Sequence, residues 1–271
     1  MLLTVDIGNS SIVLSFFGDS PEVRERLRLG TDERRTADEY AGVIRSLSLA
    51  RGIDPGEVRT AVLSCVVPVL AAPLSDAVRQ FFPSLERLVP VGPGMRTGFI
   101  IRTENPSEVG SDLVADAACA VKEYPLPLLV ADLGTMSVLM LINENSEFTG
   151  TVIFPGVQTV LRSTAESAAQ LPELSVGTCG PEAVPLLGRN TAASIRAGAL
   201  WANAMWIDAY VERLEHETGK TLNLVATGGL AGTVIPFCRH GFRVDPDLTA
   251  KGLYYLGTAP QKRLSARPGE P

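Results

Sequence analysis

The sequence predicts an α/β protein of two similar domains with a nucleotide cleft between them. Two apolar runs each end in Asp-x-Gly and then an amide or hydroxyl residue, at Asp6-Ile7-Gly8-Asn9-Ser10 and at Asp132-Leu133-Gly134-Thr135. A glycine after a carboxylate lets the backbone turn sharply and brings N–H groups against a ligand, while hydroxyl and amide side chains donate to phosphate oxygens. A third turn, Gly228-Gly229, also follows an apolar run. We therefore expect two phosphate-binding turns and one surface on which an adenine lies.

The composition limits the class of protein. The 271 residues suffice for two domains, and 45% apolar with 20% charged residues is typical of globular proteins. A net charge of −6 without a basic run argues against a nucleic-acid-binding surface. The longest apolar stretch, residues 126–142, contains Pro127 and Asp132 and is expected to form two strands rather than a membrane span. Four dispersed cysteines and an N-terminus without a signal-peptide pattern favour a cytoplasmic location.

Hydrophobic periodicity places the elements of the first half. Apolar runs ending at Ile7 and covering 12–17 predict a hairpin with the first ligand turn at its tip. Thr36 and Glu39 form a capping box ahead of a helix, and Ser107 is expected to cap a later helix. Between these helices the sequence predicts a strand over 58–67, a helix over 69–82, and strands over 85–91 and 99–102.

The second half repeats this order. The predicted elements are strands over 128–132, 137–142 and 148–154, a helix after Pro155-Gly156, a long helix over 191–218 and a strand over 222–226. The repeat divides the chain into an N-terminal domain of residues 1–117, a C-terminal domain of residues 118–257 and a flexible tail of residues 258–271.

Asp112 is the candidate catalytic residue. About one turn into its helix, a carboxylate either adds a favourable first-turn charge or accepts a proton from an attacking hydroxyl. Asp116 follows one turn later on the same face, where two carboxylates disfavour a shared ionised state and one pKa would rise; we nevertheless expect Asp116 to be a surface acid. Thr191, ahead of the long helix, either belongs to a simple cap or points a hydroxyl at an acidic substrate.

Other polar and aromatic residues are expected to have structural roles. Three arginines interleaved with acids, Arg24, Arg26 and Arg28, are interpreted as a solvated edge. His216 and His240 are expected on the surface, and the two tryptophans of the long helix, Trp201 and Trp206, in the core or at a subunit interface.

Seven motifs, in a fixed order from Met1 to about Gly257, resemble those of the type III pantothenate kinases of the actin and sugar-kinase superfamily. In chain order they are Asp6-x-Gly8-Asn9-Ser10, Asn105-Pro106-x-Glu108-Val109-Gly110-x-Asp112, Asp132-x-Gly134-Thr135, Gly150-x-x-Ile153-x-Pro155-Gly156, Gly188-x-Asn190-Thr191, Ala226-Thr227-Gly228-Gly229-Leu230-Ala231 and Asp247-Leu248-Thr249-x-x-Gly252-Leu253. The resemblance implies two actin-like (ribonuclease H-like) domains and ATP-dependent phosphorylation of pantothenate, the first step of coenzyme A biosynthesis.

The resemblance also implies roles for particular residues. Asp112 would be the general base, Asp6 would hold Mg²⁺, and Asp132 would bind a monovalent cation, K⁺ or NH₄⁺. The residues that would bind ATP are Asp6, Ile7, Gly8, Asn9, Ser10, Ser11, Ile12, Val13, Thr135, Gly228 and Gly229. The residues that would line the pocket of the small-molecule acceptor are Thr103, Gly110, Ser111, Asp112, Leu113 and Thr191. A homodimer is implied, with this pocket near the subunit interface.

The departures from the family pattern lie mostly on the acceptor side. Leu113 stands where the family has Arg, Asp116 where it has Asn, Thr103 where it has Tyr, and Ser15 and Thr151 where it has Gly. Two alternatives therefore stay open: a kinase for another small hydroxylated acceptor, or a nucleotide-binding regulator without catalysis. The cations that could replace the missing arginine are Arg102, Arg162 and Arg189.

Overall fold

A computed structural model describes residues 1–177 and 180–260 of the chain. The strands are β1 (Leu2–Ile7), β2 (Ser11–Phe17), β3 (Val23–Gly30), β4 (Thr60–Cys65), β5 (Arg87–Pro90), β6 (Ile100–Ile101), β7 (Leu128–Leu133), β8 (Met136–Ile142), β9 (Glu147–Pro155), β10 (Asn223–Thr227) and β11 (Arg243–Val244). The helices are α1 (Ala37–Ala50), α2 (Ala71–Phe81), α3 (Ser111–Glu123), α4 (Val157–Ser167), α5 (Thr191–Thr218), α6 (Ala231–Val234) and α7 (Leu248–Thr258).

The strands form two sheets of the same design. The first has the order β3-β2-β1-β4-β5 and the second the order β11-β10-β7-β8-β9-β6. In each, three antiparallel strands begin the sheet and a parallel strand joins the far side of the first of them. Asp6 and Asp132 are both the fifth residue of that first strand, paired with Val13 and Val138 of the returning strand. The predicted fold class and its duplication are confirmed.

Helices cover the sheets on both faces. One face of the first sheet packs against α1 and α2 through side chains such as Val5 and Ile44, and the second sheet packs against α4 and α5 through Leu200 and Ile207. Helices α3 and α7 pack against each other between the two sheets. Their residues share one apolar cluster with both sheets, so α3 is held in place from two sides.

Local signals in the sequence set several boundaries correctly. Thr36 accepts from the Glu39 N–H at 3.3 Å while the Glu39 carboxylate accepts from the Thr36 N–H at 2.7 Å, which is the predicted capping box. Helix α5 has the predicted limits because Asn190 caps its start and Gly219, with φ +67°, ends it in the left-handed conformation.

The expectations about the elements were wrong at one cap and incomplete elsewhere. The Asn105 side chain, and not Ser107, caps a short 3₁₀ turn at 106–108, and α3 begins only at Ser111. Strands β3 and β11 and helices α6 and α7 were not predicted. Strand β3 alternates charged and apolar side chains, and its hydrogen bonds to β2 hold it at the edge of the sheet.

The domain limits stay a prediction. The proposed boundary after residue 117 falls inside α3, and α7 near the end of the C-terminal domain packs on β1 and β4 of the first sheet. Of the predicted tail, Thr258 is the last residue of α7, and residues 261–271 lie outside the described part of the chain. Within residues 1–177 and 180–260, none of the helices combines the length and apolar character that a membrane crossing requires.

Candidate active site

The first glycine turn closes the β1–β2 hairpin. The Gly8 N–H donates to the Ser11 carbonyl at 3.1 Å, and the Thr31 hydroxyl donates to the Gly8 carbonyl at 2.6 Å. The residue that follows β3 therefore stabilises the turn. Asp6, Gly8, Asn9, Ser10, Ser11 and Val13 line a large cleft between the sheets. Ile7 and Ile12 are fully buried in the core instead. These two residues can therefore serve a ligand only by fixing the backbone.

The second turn meets the first across the cleft. Its Gly134 N–H donates to the Met136 carbonyl at 2.9 Å, and the Thr135 carbonyl accepts from the Thr159 hydroxyl at 2.6 Å. The Ser10 and Thr135 hydroxyls are 2.7 Å apart, which joins residues 125 positions apart in the chain. The two Asp-x-Gly turns thus form one continuous polar surface.

The third turn packs directly behind Asp132. Gly228 has φ +91°, and a Cβ there would lie 2.5 Å from Asp132 Oδ1 and from the Leu133 carbonyl oxygen. Only glycine fits this position, because any side chain meets both strain and overlap. Gly229 has open space around its Cα and lines the cleft beside Gly228. This leaves bare backbone against which a flat ring can lie.

Three carboxylates face one another in the cleft. Burial, and then the charge of Asp112, raises the pKa of Asp6 to about 6, although a hydrogen bond from Ser64 opposes the shift. Burial, then Asp112, then Asp6 raises the pKa of Asp132 to about 7. Burial also raises the pKa of Asp112, which accepts the Leu113 N–H at 2.8 Å. Their mutual influence means that the three carboxyl groups lie close together.

Asp116 is a fourth buried carboxylate, so the expectation of a surface acid was wrong. Its side chain has no solvent exposure because α7 covers this face of α3, and the Thr249 hydroxyl of α7 donates to Asp116 Oδ1 at 2.6 Å. Burial, and then the charge of Asp132, raises the pKa of Asp116 well above its usual value. Its second oxygen has no hydrogen-bond partner within the described residues.

The raised pKa values predict how the stability of the ligand-free protein depends on pH. An unfolded aspartate titrates near 3.8, so between about pH 4 and pH 7 the folded state holds protons on Asp6 and Asp132 that the unfolded state has released. The contribution of these groups to the free energy of unfolding should therefore fall as pH rises through this range. Asp132→Asn should remove part of that fall, which thermal unfolding across the range measures in buffer without Mg²⁺ or K⁺. An identical pH dependence in both proteins would contradict the assignment.

The expected acceptor residues fall into two groups. Gly110, Asp112, Leu113 and Thr103 line the cleft, and the Thr103 hydroxyl is buried without a partner in the described structure. The Ser111 hydroxyl is instead 3.0 Å from the Ser64 hydroxyl and accepts the Cys65 N–H at 2.8 Å, which fixes the start of α3 to the end of β4. Ser111 therefore holds Asp112 in position and does not itself line the cleft.

Thr191 lies outside the cleft of its own chain. It is exposed at the first position of α5, where Asn190 provides the cap by accepting the Ala193 N–H at 2.9 Å. No residue of that N-terminus lines the cleft. Within one chain, Thr191 and Asp112 are not brought together.

Within the described part of the chain, three arginines line the cleft, and only one of them, Arg162, is among the three candidates named from the sequence. Arg102 pairs with Glu147 at 2.7 Å, and Arg189 does not line the cleft. Arg162 lines it from α4, 3.8 Å from Glu166. Arg26 and Arg28 also line it from the edge strand β3; Arg28 is exposed, as the solvated-edge interpretation expects, whereas Arg26 is partly buried. The alternation of apolar residues with these arginines over 23–29 is the strand signal that would have placed them on one face.

The two tryptophans of α5 and the two histidines lie away from the cleft. The Trp206 ring stacks on Phe154 with centroids 5.1 Å apart, and Trp201 donates to the Val184 carbonyl at 3.1 Å. His216 is exposed, as expected. His240 is partly buried, because its Nδ1 lies 2.8 Å from a carboxylate oxygen of the buried Asp208.

The cleft as a whole fits a polyphosphate with its cations. Its volume is about 1290 Å³, and glycine turns from both sheets line it. Asp6 Oδ1 is buried and has no hydrogen-bond partner among the described residues. An oxygen in this situation is suited to be a ligand to a cation. Backbone donors, clustered carboxylates and one acid at a helix start together suit phosphoryl transfer, which depends on positioning and charge neutralisation.

Comparisons with known proteins point to one family. The sequence profile described as type III pantothenate kinase matches residues 2–213. The chain is 36% identical over 253 residues to the type III pantothenate kinase of Moorella thermoacetica, covering 93% of this chain and 97% of that protein. It is 33% identical over 256 residues to that of Bacillus cytotoxicus, covering 94% and 95%. The resemblance inferred from the motifs is confirmed.

Solved structures of distant proteins share the fold. The activator of the 2-hydroxyisocaproyl-CoA dehydratase from Clostridium difficile, solved with bound ADPNP, superposes with a TM-score of 0.55 at 13% identity, covering 94% of each chain. The ethanolamine utilization protein EutJ from Carboxydothermus hydrogenoformans gives a TM-score of 0.55 at 15% identity, covering 94% of this chain and 89% of that one. The architecture is the two-domain, actin-like α/β fold that the sequence predicted.

Proposed function

Because the chain belongs to the type III pantothenate kinase family, we propose that it transfers the γ-phosphoryl group of ATP to the hydroxyl of pantothenate. The product is 4′-phosphopantothenate, and the reaction is the first step of coenzyme A biosynthesis. The observation that carries the proposal is the position of Asp112, which enters the same cleft as both Asp-x-Gly turns. ATP and a divalent metal ion are the cofactors that a kinase of this family uses.

Asp112 acts as the general base. It lies at the second position of α3, with Ser111 tying that helix start to β4. Burial raises the pKa of Asp112 toward neutral pH. A carboxylate with a higher pKa is a stronger base, which suits Asp112 to take the proton from the acceptor hydroxyl. The oxygen that loses this proton forms the new bond to phosphorus, and ADP leaves with the electrons of the broken bond.

The two turns and the remaining carboxylates hold the nucleotide. The N–H groups and hydroxyls of Gly8–Ser11 and Thr135 bind the phosphates, and Gly228 and Gly229 support the adenosine. Asp6 holds Mg²⁺, for which its unpartnered oxygen supports the assignment. Asp132 binds a monovalent cation, K⁺ or NH₄⁺. The metal ions supply charge neutralisation for the phosphates when bound.

We further propose that the active form is a cytoplasmic homodimer. Thr191 can reach an acceptor only from a second copy, because it lies outside the cleft of its own chain. Exposed apolar side chains near α5 provide a surface for such an interface: Leu187 is 83% exposed, Leu186 59% and Met205 46%. Light scattering on the purified protein measures the mass in solution.

A panel of acceptors tests the proposed reaction. With ATP, Mg²⁺ and K⁺, we expect ADP release in the presence of pantothenate and none with hydroxylated compounds of unrelated shape. Leu113 beside Asp112 favours the second candidate, a kinase for a different hydroxylated acceptor, and turnover with such a compound alone would support it. ATP binding without turnover on any acceptor would instead support the regulator.

A further inference from the structure

We propose that Arg28 on β3 recognises the carboxylate of the acceptor and so determines which hydroxylated compounds the cleft accepts. The inference rests on the proposed kinase function and names the residue that selects the anionic end of its acceptor. Four observations carry it: the register of Arg28, its lack of a counter-ion, the unpartnered hydroxyls that line the same cleft, and its distance from the first phosphate turn.

Register places Arg28 on the same face of the sheet as Asp6. Asp6 of β1 pairs with Val13 of β2, and Val13 pairs with Arg28 of β3. Paired residues point to the same face, so all three line the cleft. The two strand spacings separate Asp6 from Arg28 by about 10 Å across the sheet. Leu27 and Leu29 point to the opposite face and are buried in the core with α1, which fixes the orientation of the strand.

Arg28 lacks a counter-ion that its neighbour has. The Arg26 guanidinium forms an ion pair with Asp247 at the start of α7. Across residues 1–177 and 180–260, the guanidinium of Arg28 makes neither an ion pair nor a hydrogen bond. Burial, and then the charge of Arg28, lowers the pKa of Arg26, so the two guanidinium groups lie close enough to repel each other. A ligand anion bound next to both guanidinium groups would relieve that repulsion.

The wall between Asp6 and Arg28 suits a compound with a polar end and an apolar middle. Ser15, next to Val13 on this face and paired with Arg26, is fully buried, and its hydroxyl has no partner in the described structure. The Thr103 hydroxyl, in a residue that also lines the cleft, is without a partner among the described residues as well. Leu113 adds an apolar surface to the same cleft. A molecule whose hydroxyl lies at Asp112 and whose carboxylate lies at Arg28 would satisfy these groups.

The phosphate turns lie beyond the end of β3, and this separates Arg28 from ATP. Thr31, after the last residue of β3, contacts the first turn through its hydroxyl and its N–H, while Arg28 comes three residues earlier. From the other wall of the cleft, Arg162 enters on α4, the helix whose Thr159 hydroxyl donates to the Thr135 carbonyl of the second turn. Arg28 thus lies about 10 Å along the strand from the residue that contacts the first phosphate turn, which leaves this part of the cleft wall for the acceptor.

Kinetics with a charged and a neutral acceptor test the inference. Pantothenol, in which an alcohol replaces the carboxylate of pantothenate, serves as the neutral acceptor. Arg28→Leu should raise the KM for pantothenate about 10- to 100-fold, the range expected for a lost charge-assisted hydrogen bond. The KM for ATP, the kcat and the KM for pantothenol should stay within about twofold of the wild-type values. Arg28→Lys should keep part of the preference, because it retains the charge without the planar fork.

Arg24→Leu is the matched control, since Arg24 is an exposed arginine of the same strand that does not line the cleft. It should behave as wild type with both acceptors. An equal rise in KM for both acceptors in Arg28→Leu, or a rise in the KM for ATP, would overturn the role of Arg28.

Calorimetric binding of pantothenate and pantothenol separates this inference from the proposed reaction, because it needs no turnover. Wild-type protein that prefers pantothenate through Arg28 without phosphorylating it would contradict only the kinase function. Wild-type protein that phosphorylates pantothenate but binds both compounds equally would contradict only the role of Arg28. Failure to bind pantothenate at all would contradict both.

Discussion

Asp112→Asn is expected to lower kcat with pantothenate by a factor of about 10² to 10⁴, the range that general bases contribute. The amide keeps the shape and the hydrogen bond to the Leu113 N–H but cannot take a proton from the acceptor hydroxyl. Because the substitution also removes a like charge next to Asp6 and Asp132, the affinity for ATP with Mg²⁺ should be retained. Steady-state kinetics and calorimetric titration of the nucleotide measure the two quantities separately.

Asp38→Asn is the matched control for this substitution. Asp38 is also the second residue of a helix, α1, but it is exposed and does not line the cleft between the sheets. Its removal should leave kcat unchanged and cost only a first-turn charge interaction of about 0.3–1 kcal/mol. A kcat for Asp112→Asn within tenfold of wild type would rule out Asp112 as the general base.

Gly252→Ala is expected to destabilise the fold by about 1–3 kcal/mol, the usual cost of overpacking, and to reduce activity as well. A Cβ at this position of α7 would overlap the carbonyl oxygen of Ala115 in α3, where the two helices make their closest approach. The atoms that a Cβ of residue 252 would meet belong to the backbone of Ala115, so no flexible side chain can move aside to relieve the overlap. Helix α3 would have to shift, and it carries Asp112 and Asp116. Thermal unfolding and kcat report the two consequences.

Gly198→Ala gives the opposite expectation from the same chemical change. Gly198 is an exposed residue of α5, and a Cβ there meets nothing within 4 Å. Alanine in the interior of a helix should raise the stability by up to about 1 kcal/mol. If Gly252→Ala proved as stable as Gly198→Ala, close packing between α3 and α7 would not be what positions Asp112.

The sequence predicts the duplicated fold well because both halves carry strong local signals. Apolar runs before Asp6 and Asp132, and capping residues such as Thr36, specify their elements without reference to the rest of the chain. Among the missed elements, β3 carries an alternating pattern over 23–29, whereas helix α7 has a weak local signal. Helix α7 contains glycines where α3 and the first sheet approach closely, as at Gly252 and Gly257, so its pattern is set by its neighbours.

Residues of the candidate site could be predicted where a local turn or helix start places them. They could not be predicted where packing against a second helix or strand decides their burial or orientation. Asp6, Gly8 and Asp112 enter the cleft as expected. The burial of Asp116 depends on α7, and the position of Arg28 depends on strand register across β2. The alternation over 23–29 can group Arg26 and Arg28 on one face, but the register with β2 decides that this face meets the cleft, and Thr249 is 133 residues from Asp116.

The central claim is that this cleft moves a phosphoryl group from ATP to pantothenate. Phosphorus NMR and mass spectrometry of a reaction containing the protein, ATP, Mg²⁺, K⁺ and pantothenate test it most directly. We expect 4′-phosphopantothenate and ADP in equal amounts, with neither formed by Asp112→Asn at a comparable rate. ADP without phosphorylated pantothenate, or unchanged ATP with the wild-type protein, would contradict the claim.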